Sequence, residues 1–296
     1  MPSMNIPPLP DYTARWQALV EEREAQAARL RAAAGITPTP FWDERAEGFR
    51  RAVQRRATQA DPLFDLVAGH VDEETTLLDV GAGVGRHALP LSWRVKHVTA
   101  VEPAHGMREF LLADAEAQHV ANLTLIGATW EAAEVPPADV VLCSHVVYNV
   151  PDIGLFVDKL AEHAQRACFI VMRTSQRDRA LRPLFQQVHG EELVPEPALV
   201  DLYNVVHHRL GIAANVQAVA FRRGTMPLGA YESLDEGVAS LRQSLYVAEG
   251  SAGEAQIRAF LQQHLMSEDG RMVLASPAIG AGILWWDATP GSDNRV

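Results

Sequence analysis

Residues 76–86 read TLLDVGAGVGR, an apolar run that ends in a turn with glycines at positions 81, 83 and 85. A short apolar run is typical of a buried strand, and glycine lets the backbone of a tight turn adopt positive φ. A helical pattern begins after Gly85, so the stretch predicts a strand, a turn and a helix. Because ligands of open parallel sheets bind beyond the carboxyl ends of the strands, the turn predicts a nucleotide-like ligand.

Similar apolar runs recur along the chain, and helical patterns separate most of them: the runs lie at residues 98–101, 123–126, 138–143 and 167–172. Buried strands that alternate with helices are typical of a parallel sheet with helices on both faces. We therefore expect an α/β fold, a three-layer sandwich. Further helices are predicted on either side of this region, at residues 11–34, 41–57, 61–70, 181–189, 197–210, 234–248 and 253–264, with strands at 216–221 and 283–286. Asp61-Pro62 is the expected N-cap and first residue of the third of these helices.

The spacing of the turn narrows the choice of ligand. The dinucleotide fingerprint requires Gly or Ala at the sixth position counted from Gly81, where this sequence has Arg86. Asp79 would repel a pyrophosphate but would attract an ammonium group. Glu102 ends the next predicted strand, where a carboxylate accepts hydrogen bonds from both ribose hydroxyls. S-adenosylmethionine meets these requirements, because it has an ammonium group, a sulfonium and a ribose but no phosphate.

The segments LLDVGAGVGRH and VTAVEP resemble those of the class I S-adenosylmethionine-dependent methyltransferases. The resemblance extends over about residues 41–175. It includes GATWE after the third strand, ADVVLCSH as the fourth strand and FWDERAEGF as a short helix that covers the cofactor. It implies the Rossmann-like methyltransferase fold with a mostly parallel, twisted, seven-stranded sheet. The family often has an acid directly after the third strand, whereas here Ala128 and Thr129 precede Trp130 and Glu131.

The motif and the resemblance together predict the residues that bind S-adenosylmethionine and its product S-adenosylhomocysteine. These are Asp79, Gly81, Ala82, Gly83, Gly85, Arg86, Glu102, Pro103, Met107, Ala128, Thr129, Trp130, Glu131, Ser144 and His145. Three points stay open at this stage. Arg86 is either exposed to solvent or near the cofactor carboxylate. Met107 and Trp130 either flank the adenine or pack in the core, and the partner of the adenine amine is one of residues 128–131.

The segment SHVVYNVPD follows the fourth strand, where an acceptor would approach the methyl group. His145 and Tyr148 are the candidate catalytic bases, and Tyr148 and Asn149 are the candidate substrate-binding residues. A base there must lie within hydrogen-bond reach of the acceptor. The alternative is that His145 only contacts the cofactor. We expect no metal site, since the adjacent His207 and His208 of a predicted helix point in different directions and lack a third ligand.

The sequence favours a methyltransferase that acts on a small molecule, at an oxygen, nitrogen or carbon atom. The net charge of −11 disfavours a nucleic-acid substrate. The Asn/Asp-Pro-Pro-aromatic loop of many nucleic-acid and glutamine methyltransferases is also absent after the fourth strand. Two alternatives remain: a tRNA or protein methyltransferase, and a cofactor-binding partner or sensor without catalysis. The tRNA alternative is supported only by a run of arginines, Arg45, Arg50, Arg51, Arg55 and Arg56.

The domain prediction has three parts: a helical extension over residues 1–60 that covers the active site, a core over residues 61–289, and a frayed tail over residues 290–296. The core carries a helical insertion at about 180–211 and helices at about 234–265. No apolar run reaches the roughly 20 residues of a membrane span, and MPSMNIPPLP is not a signal peptide. We therefore expect a cytoplasmic protein, either a monomer or a homodimer, with Cys143 and Cys168 as buried thiols.

Overall fold

The computed structural model describes residues 10–37, 41–55, 60–174, 181–220, 230–268, 271–274 and 280–288. Three helices precede the sheet: α1 (Tyr12–Ala33), α2 (Phe41–Gln54) and α3 (Pro62–Ala68). Asp61 caps α3 by accepting the backbone N–H groups of Leu63 and Phe64, as the Asp-Pro pair predicts.

The central part of the chain alternates strands and helices, as expected from the recurring apolar runs. Its strands are β1 (Thr76–Val80), β2 (His97–Val101), β3 (Leu123–Ile126), β4 (Ala138–Ser144) and β5 (Ala164–Arg173). Its helices are α4 (Ala88–Ser92), α5 (His105–Ala117) and α6 (Ile153–His163), with a short 3-10 turn at Val147–Asn149.

The C-terminal half contains further helices and short strands. The helices are α7 (Arg182–His189), α8 (Leu199–Leu210), α9 (Leu234–Ser244) and α10 (Ala252–His264). The strands are β6 (Asn215–Ala220), β7 (Ala230–Tyr231), β8 (Leu265–Glu268), β9 (Arg271–Leu274) and β10 (Gly280–Asp287).

Seven strands form one twisted sheet in the order β3-β2-β1-β4-β5-β10-β6. The pairs from β3 to β5 are parallel, and β10 is antiparallel to both of its neighbours. The chain proceeds from β1 towards β3 on one side and returns to β4 on the other. This reversal opens a crevice at the carboxyl ends of β1 and β4, where ligands of such sheets bind. The predicted α/β fold with a mostly parallel seven-stranded sheet is thus confirmed.

The sheet has a packed core on each face. Helices α6, α8 and α1 cover one face, around Leu78, Cys143 and Trp286, and α3 and α4 cover the other, around Leu77 and Phe169. Trp285 and Trp286 point to opposite faces, as expected in a strand. Both cysteines are buried free thiols, and burial raises the pKa of each.

A second, antiparallel sheet in the order β7-β9-β8 was not expected. Its strands have two to four residues, which is too short for a period-2 pattern to be read from sequence. It lies beside a separate apolar cluster of α7, α9 and α10 that includes Phe185, Leu241 and Leu261. Among the described residues, no helix is long and apolar enough to cross a membrane.

Candidate cofactor and acceptor site

The glycine turn after β1 adopts a backbone that other residues tolerate poorly. Gly81, Gly83 and Gly85 have φ of 74°, 57° and 84°. A Cβ on Gly81 would lie 2.3 Å from Cγ2 of Val146, and one on Gly85 would lie 2.8 Å from Cγ of Leu89. Both φ and space therefore require glycine at these two positions. The turn leaves its main chain uncovered by side chains of its own, which is what a closely bound cofactor needs.

Asp79 lies at the end of β1 and is buried, with 2% of its surface exposed. One of its carboxyl oxygens makes no hydrogen bond to any residue that the structure describes. Burial, together with the nearby Glu102 carboxylate, raises the pKa of Asp79 to about 7. A buried carboxyl with an unused oxygen is costly unless a partner arrives. The ammonium group of S-adenosylmethionine is a partner that fits.

Glu102 follows β2 and is also buried. Its carboxylate accepts the backbone N–H groups of Gly83 and Ala104, each at 2.8 Å. Burial raises the pKa of Glu102, and these two hydrogen bonds oppose the rise. The side chain is thus fixed between the glycine turn and the start of α5. This position is compatible with binding a ribose, which stays a prediction.

Arg86 is partly buried, with 28% of its side chain exposed. Its Nη2 donates to Oδ2 of Asp61 at 2.8 Å, and its side chain is largely buried. Burial by itself raises the pKa of Asp61, but His87 and Arg86 together hold it well below its ordinary value. Contact between Arg86 and the cofactor carboxylate stays a prediction.

His87 was missed as a site residue, although it directly follows the motif. It is 5% exposed, and its Nε2 lies 3.4 Å from Asp61 Oδ2 without forming a hydrogen bond. Burial lowers the pKa of His87, and Asp61 opposes this effect. The Asp61-Pro62 pair predicts only a helix cap, and no local pattern indicates that this cap faces residues 86 and 87.

Met107 and Trp130 are both buried core residues. The Trp130 ring packs edge-on against Phe156 and His163, and Nζ of Lys159 lies 4.5 Å from its centroid. These contacts favour packing over adenine stacking for Trp130. Met107 packs with Ala46, Val84 and partly buried Phe49, at the edge of the glycine turn. After β3, Ala128 is half-buried, and Thr129 and Glu131 are exposed. These positions leave the partner of the adenine amine open. Of the other predicted cofactor-binding residues, Pro103 is exposed and Ala82 is buried.

The segment after β4 brings together two of the predicted catalytic residues. Nδ1 of His145 and the hydroxyl of Tyr148 are 2.8 Å apart, and their rings stack. Burial, together with the charges of Arg173 and Arg86, lowers the pKa of His145 to about 3. Ser144 is half-buried beside them, whereas Asn149 points to solvent. A neutral imidazole with such a low pKa is a weak base.

A small cavity joins the end of β4 to α3. Its polar lining is Asp61, Arg86, His87, Ser144 and His145. Its apolar wall comes from α3, β5, β6 and β10, and consists of Pro62, Leu63, Val171, Val219, Ala281 and Ile283. The cavity therefore lies at the carboxyl ends of the strands, next to the residue predicted to face the methyl group.

Helix α2 packs beside the glycine turn. A Cβ built on Gly83 would lie 3.8 Å from Cε1 of Phe49, and Asp43 accepts the backbone N–H of Gly106 at 2.7 Å. Arginines of this helix form hydrogen bonds with side chains of other helices. Arg50 forms two hydrogen bonds with Asp114 of α5, and Arg45 donates to Gln243. The pairing of Arg45 and Arg50 weakens the interpretation of this run as a free basic surface, and Arg56 lies outside the described residues.

The two adjacent histidines of α8 contact aromatic rings. His207 stacks on Tyr203 with 5.9 Å between centroids, and His208 stacks on Tyr12 at 4.6 Å. Within the ranges that the structure describes, no group of three or more His, Cys, Asp or Glu side chains is arranged to hold a metal ion.

Comparisons with known proteins agree with this geometry. Residues 78–171 match the model of a family described as "Methyltransferase domain". A protein of Haemophilus influenzae described as uncharacterized is 28% identical over 199 residues, which cover 67% of this chain and 72% of that protein.

Two solved structures show the shared fold. The YcgJ protein of Bacillus subtilis matches with a TM-score of 0.52 and 17% identity, over 77% of this chain and 98% of that chain. The [4+2]-cyclase SpnF matches with a TM-score of 0.52 and 13% identity, over 77% and 80%. S-adenosylmethionine is the cofactor that the family match and the site support together. Over residues 78–171, the chain is thus similar to a methyltransferase-domain family, and its fold is shared with these solved structures.

Proposed function

We propose that the protein transfers a methyl group from S-adenosylmethionine to a small-molecule acceptor. The observation that carries the proposal is the pair of buried carboxyls, Asp79 and Glu102, at adjacent strand ends around a turn of positive-φ glycines. Asp79 has an oxygen left for an ammonium group, and Glu102 is held against the turn by Gly83 and Ala104. Together they are suited to an amino-acid tail and a ribose.

The size and lining of the cavity support a small acceptor. The cavity is bounded by apolar side chains such as Leu63, Val171 and Ile283, so the acceptor has an apolar part. A polynucleotide would need a basic surface, but the chain carries a net charge of −11 and Arg50 is used in a pair with Asp114.

The reaction that fits this site is an in-line displacement at the sulfonium methyl group. The cofactor, when bound, supplies a methyl carbon attached to an excellent leaving group. The chain's own residues then hold the acceptor in line and exclude water, which is where most of the rate enhancement arises. Asp79 and Glu102 fix one end of the site, and Ser144 and His145 lie where the acceptor is held.

Calorimetry with S-adenosylhomocysteine and with NAD tests the cofactor. Binding of S-adenosylhomocysteine alone is expected, whereas binding of NAD and not of the thioether would overturn the proposal. Transfer of labelled methyl to a small-molecule extract, and not to crude tRNA or protein, tests the acceptor.

A second candidate is a cofactor-binding protein that transfers no methyl group. It is kept because the solved fold relatives include a protein named as a [4+2]-cyclase, which shows that the fold is not restricted to one reaction. Tight binding of S-adenosylhomocysteine without methyl transfer to small molecules, tRNA or proteins would favour it.

A further inference from the structure

His145 has a strained backbone that sets the direction of its ring. Its φ is 61°, in the left-handed region that residues other than glycine seldom occupy. Its backbone N–H donates to the carbonyl of Val171, so the strand pairing extends into this strained residue. Strain of this kind persists only where surrounding contacts enforce it, and it is concentrated at functional sites.

A chain of hydrogen bonds fixes the imidazole from the other side. The Tyr148 hydroxyl oxygen accepts the backbone N–H of Arg173 at 2.9 Å and lies 2.8 Å from Nδ1 of His145. A phenol has a single hydrogen to donate. In the tautomer that the proposal below requires, the hydroxyl donates this hydrogen to Nδ1, and the imidazole proton is on Nε2.

A buried ion pair supports this arrangement. The Arg173 guanidinium lies 3.7 Å from the centroid of the Tyr148 ring. Arg173 donates twice to the Glu196 carboxylate, at 3.0 and 2.9 Å, and the two side chains are 11% and 9% exposed. Bidentate pairs of this kind have a fixed geometry. Arg173 and Glu196 therefore hold Tyr148 in both position and orientation.

The cavity in front of His145 offers more donors than acceptors. Nε2 of His145 pairs with no residue in the part of the chain that the structure describes. Ser144 and the guanidinium of Arg86 line the same cavity, and Nε2 of His87 is buried there without a hydrogen bond. The Asp61 oxygens are used: one caps α3, and the other receives Arg86.

We propose that Nε2–H of His145 binds a carbonyl-type oxygen of the acceptor, either a carboxylate or a neutral carbonyl, while Arg173 and Glu196 act through Tyr148 as positioning residues. The inference rests on the proposed function, because it names the chemistry of the acceptor at that site. The pKa of His145 is lowered first by burial and then by Arg173, Arg86 and His87, and Asp61 opposes the shift. The imidazole is therefore neutral. His145 is thus a donor, and the candidate role as general base is not the one we assign to it.

Nitrogen-15 NMR of the full chain, labelled at histidine and saturated with S-adenosylhomocysteine, tests the tautomer. The variant His145→Gln identifies the His145 resonances. In the wild type, we expect Nε2 to carry the proton and Nδ1 to carry none at neutral pH. Tyr148→Phe and Glu196→Gln should each shift the population towards the Nδ1–H form. Tyr203→Phe, which alters a stacked Tyr–His pair on α8, is the matched control and should leave the His145 signals unchanged. A protonated Nδ1 in the wild type, or signals that Tyr148→Phe does not alter, would overturn the inference.

Titration of the labelled chain with acetate, acetamide and methylammonium, both without and with S-adenosylhomocysteine, tests the ligand. A saturable shift of the His145 Nε2 signal with acetate indicates a carboxylate, and one with acetamide indicates a neutral carbonyl. A shift with methylammonium alone, or with none of the three, contradicts the inference. If S-adenosylhomocysteine itself moves the signal and blocks acetate, the oxygen belongs to the cofactor and the assignment to the acceptor is wrong. Calorimetric binding of S-adenosylhomocysteine is measured separately, so a failure here is distinguishable from a failure of the proposed function.

Discussion

The substitution Asp79→Asn separates the contribution of Asp79 to cofactor binding from its cost to the stability of the folded protein. The pKa of Asp79 rises from its ordinary value of 3.8 to about 7, because burial and the neighbouring Glu102 oppose its charge. A shift of this size corresponds to about 4 kcal/mol, which is the order of the cost of ionising the buried group in the cofactor-free protein. Asn has nearly the same shape and no charge. We therefore expect Asp79→Asn to raise the free energy of unfolding at about pH 8 and to weaken cofactor binding.

The direction of this pKa shift determines how the stability of the protein depends on pH. Because the pKa is raised on folding, the favourable contribution of protonated Asp79 is fully present below about pH 3.8 and is lost as pH rises through about 7. The wild type should become less stable than the variant over this range. Binding of the cofactor ammonium favours the ionised form, so S-adenosylhomocysteine should bind the wild type more tightly as pH rises, by at most about tenfold per unit below pH 7. The variant should show no such slope.

The assay combines denaturant unfolding at about pH 5.5 and about pH 8 with calorimetry of S-adenosylhomocysteine binding. Asp139→Asn is the matched control, since Asp139 lies at the opposite end of the sheet and accepts both the backbone N–H and the hydroxyl of Thr76. These bonds lower the pKa of Asp139 against the effect of burial, so its loss should destabilise the protein at neutral pH and leave binding unchanged. A less stable Asp79→Asn at about pH 8, or one with wild-type affinity, would refute the reasoning.

Three further predictions concern the same region. Glu102→Ala removes the carboxylate that Gly83 and Ala104 bond, and it should weaken binding of S-adenosylhomocysteine by about 1.5–3 kcal/mol in calorimetry; unchanged affinity would remove Glu102 from the site. Gly81→Ala should lower the melting temperature, because the new Cβ would lie 2.3 Å from Val146 and the φ of 74° disfavours alanine. Adding Val146→Ala should restore only the part of the lost stability that is due to the clash. Arg50→Gln should destabilise the protein by less than about 1 kcal/mol, because the ion pair with Asp114 is partly exposed. It should also speed proteolysis near Arg55, since this pair joins α2 to α5. Equal cleavage rates in the wild type and the variant would contradict that role.

Much of the site is predictable because its geometry is local. The turn at residues 81–85 needs glycine for its φ values, and Asp79 and Glu102 reach the same edge because both lie at the ends of neighbouring parallel strands. Trp130 shows the limit of this reasoning. Its place after β3 is compatible with an adenine contact, yet its side chain packs against Phe156 of α6. Which way that side chain faces depends on a helix that lies 26 residues further along the chain.

The sequence by itself determined the alternation of strands and helices, the glycine turn and the two carboxyls, since these depend on short-range periodicity and on backbone sterics. Only the tertiary structure decided that β10 is inserted between β5 and β6, and that the cap of α3 meets Arg86 and His87. It also decided that Arg173 and Glu196 fix Tyr148 against His145. These contacts join distant residues, and they form because packing an apolar sheet on both faces forces particular polar side chains into the same buried edge. No pattern within a single segment of the sequence predicts these contacts.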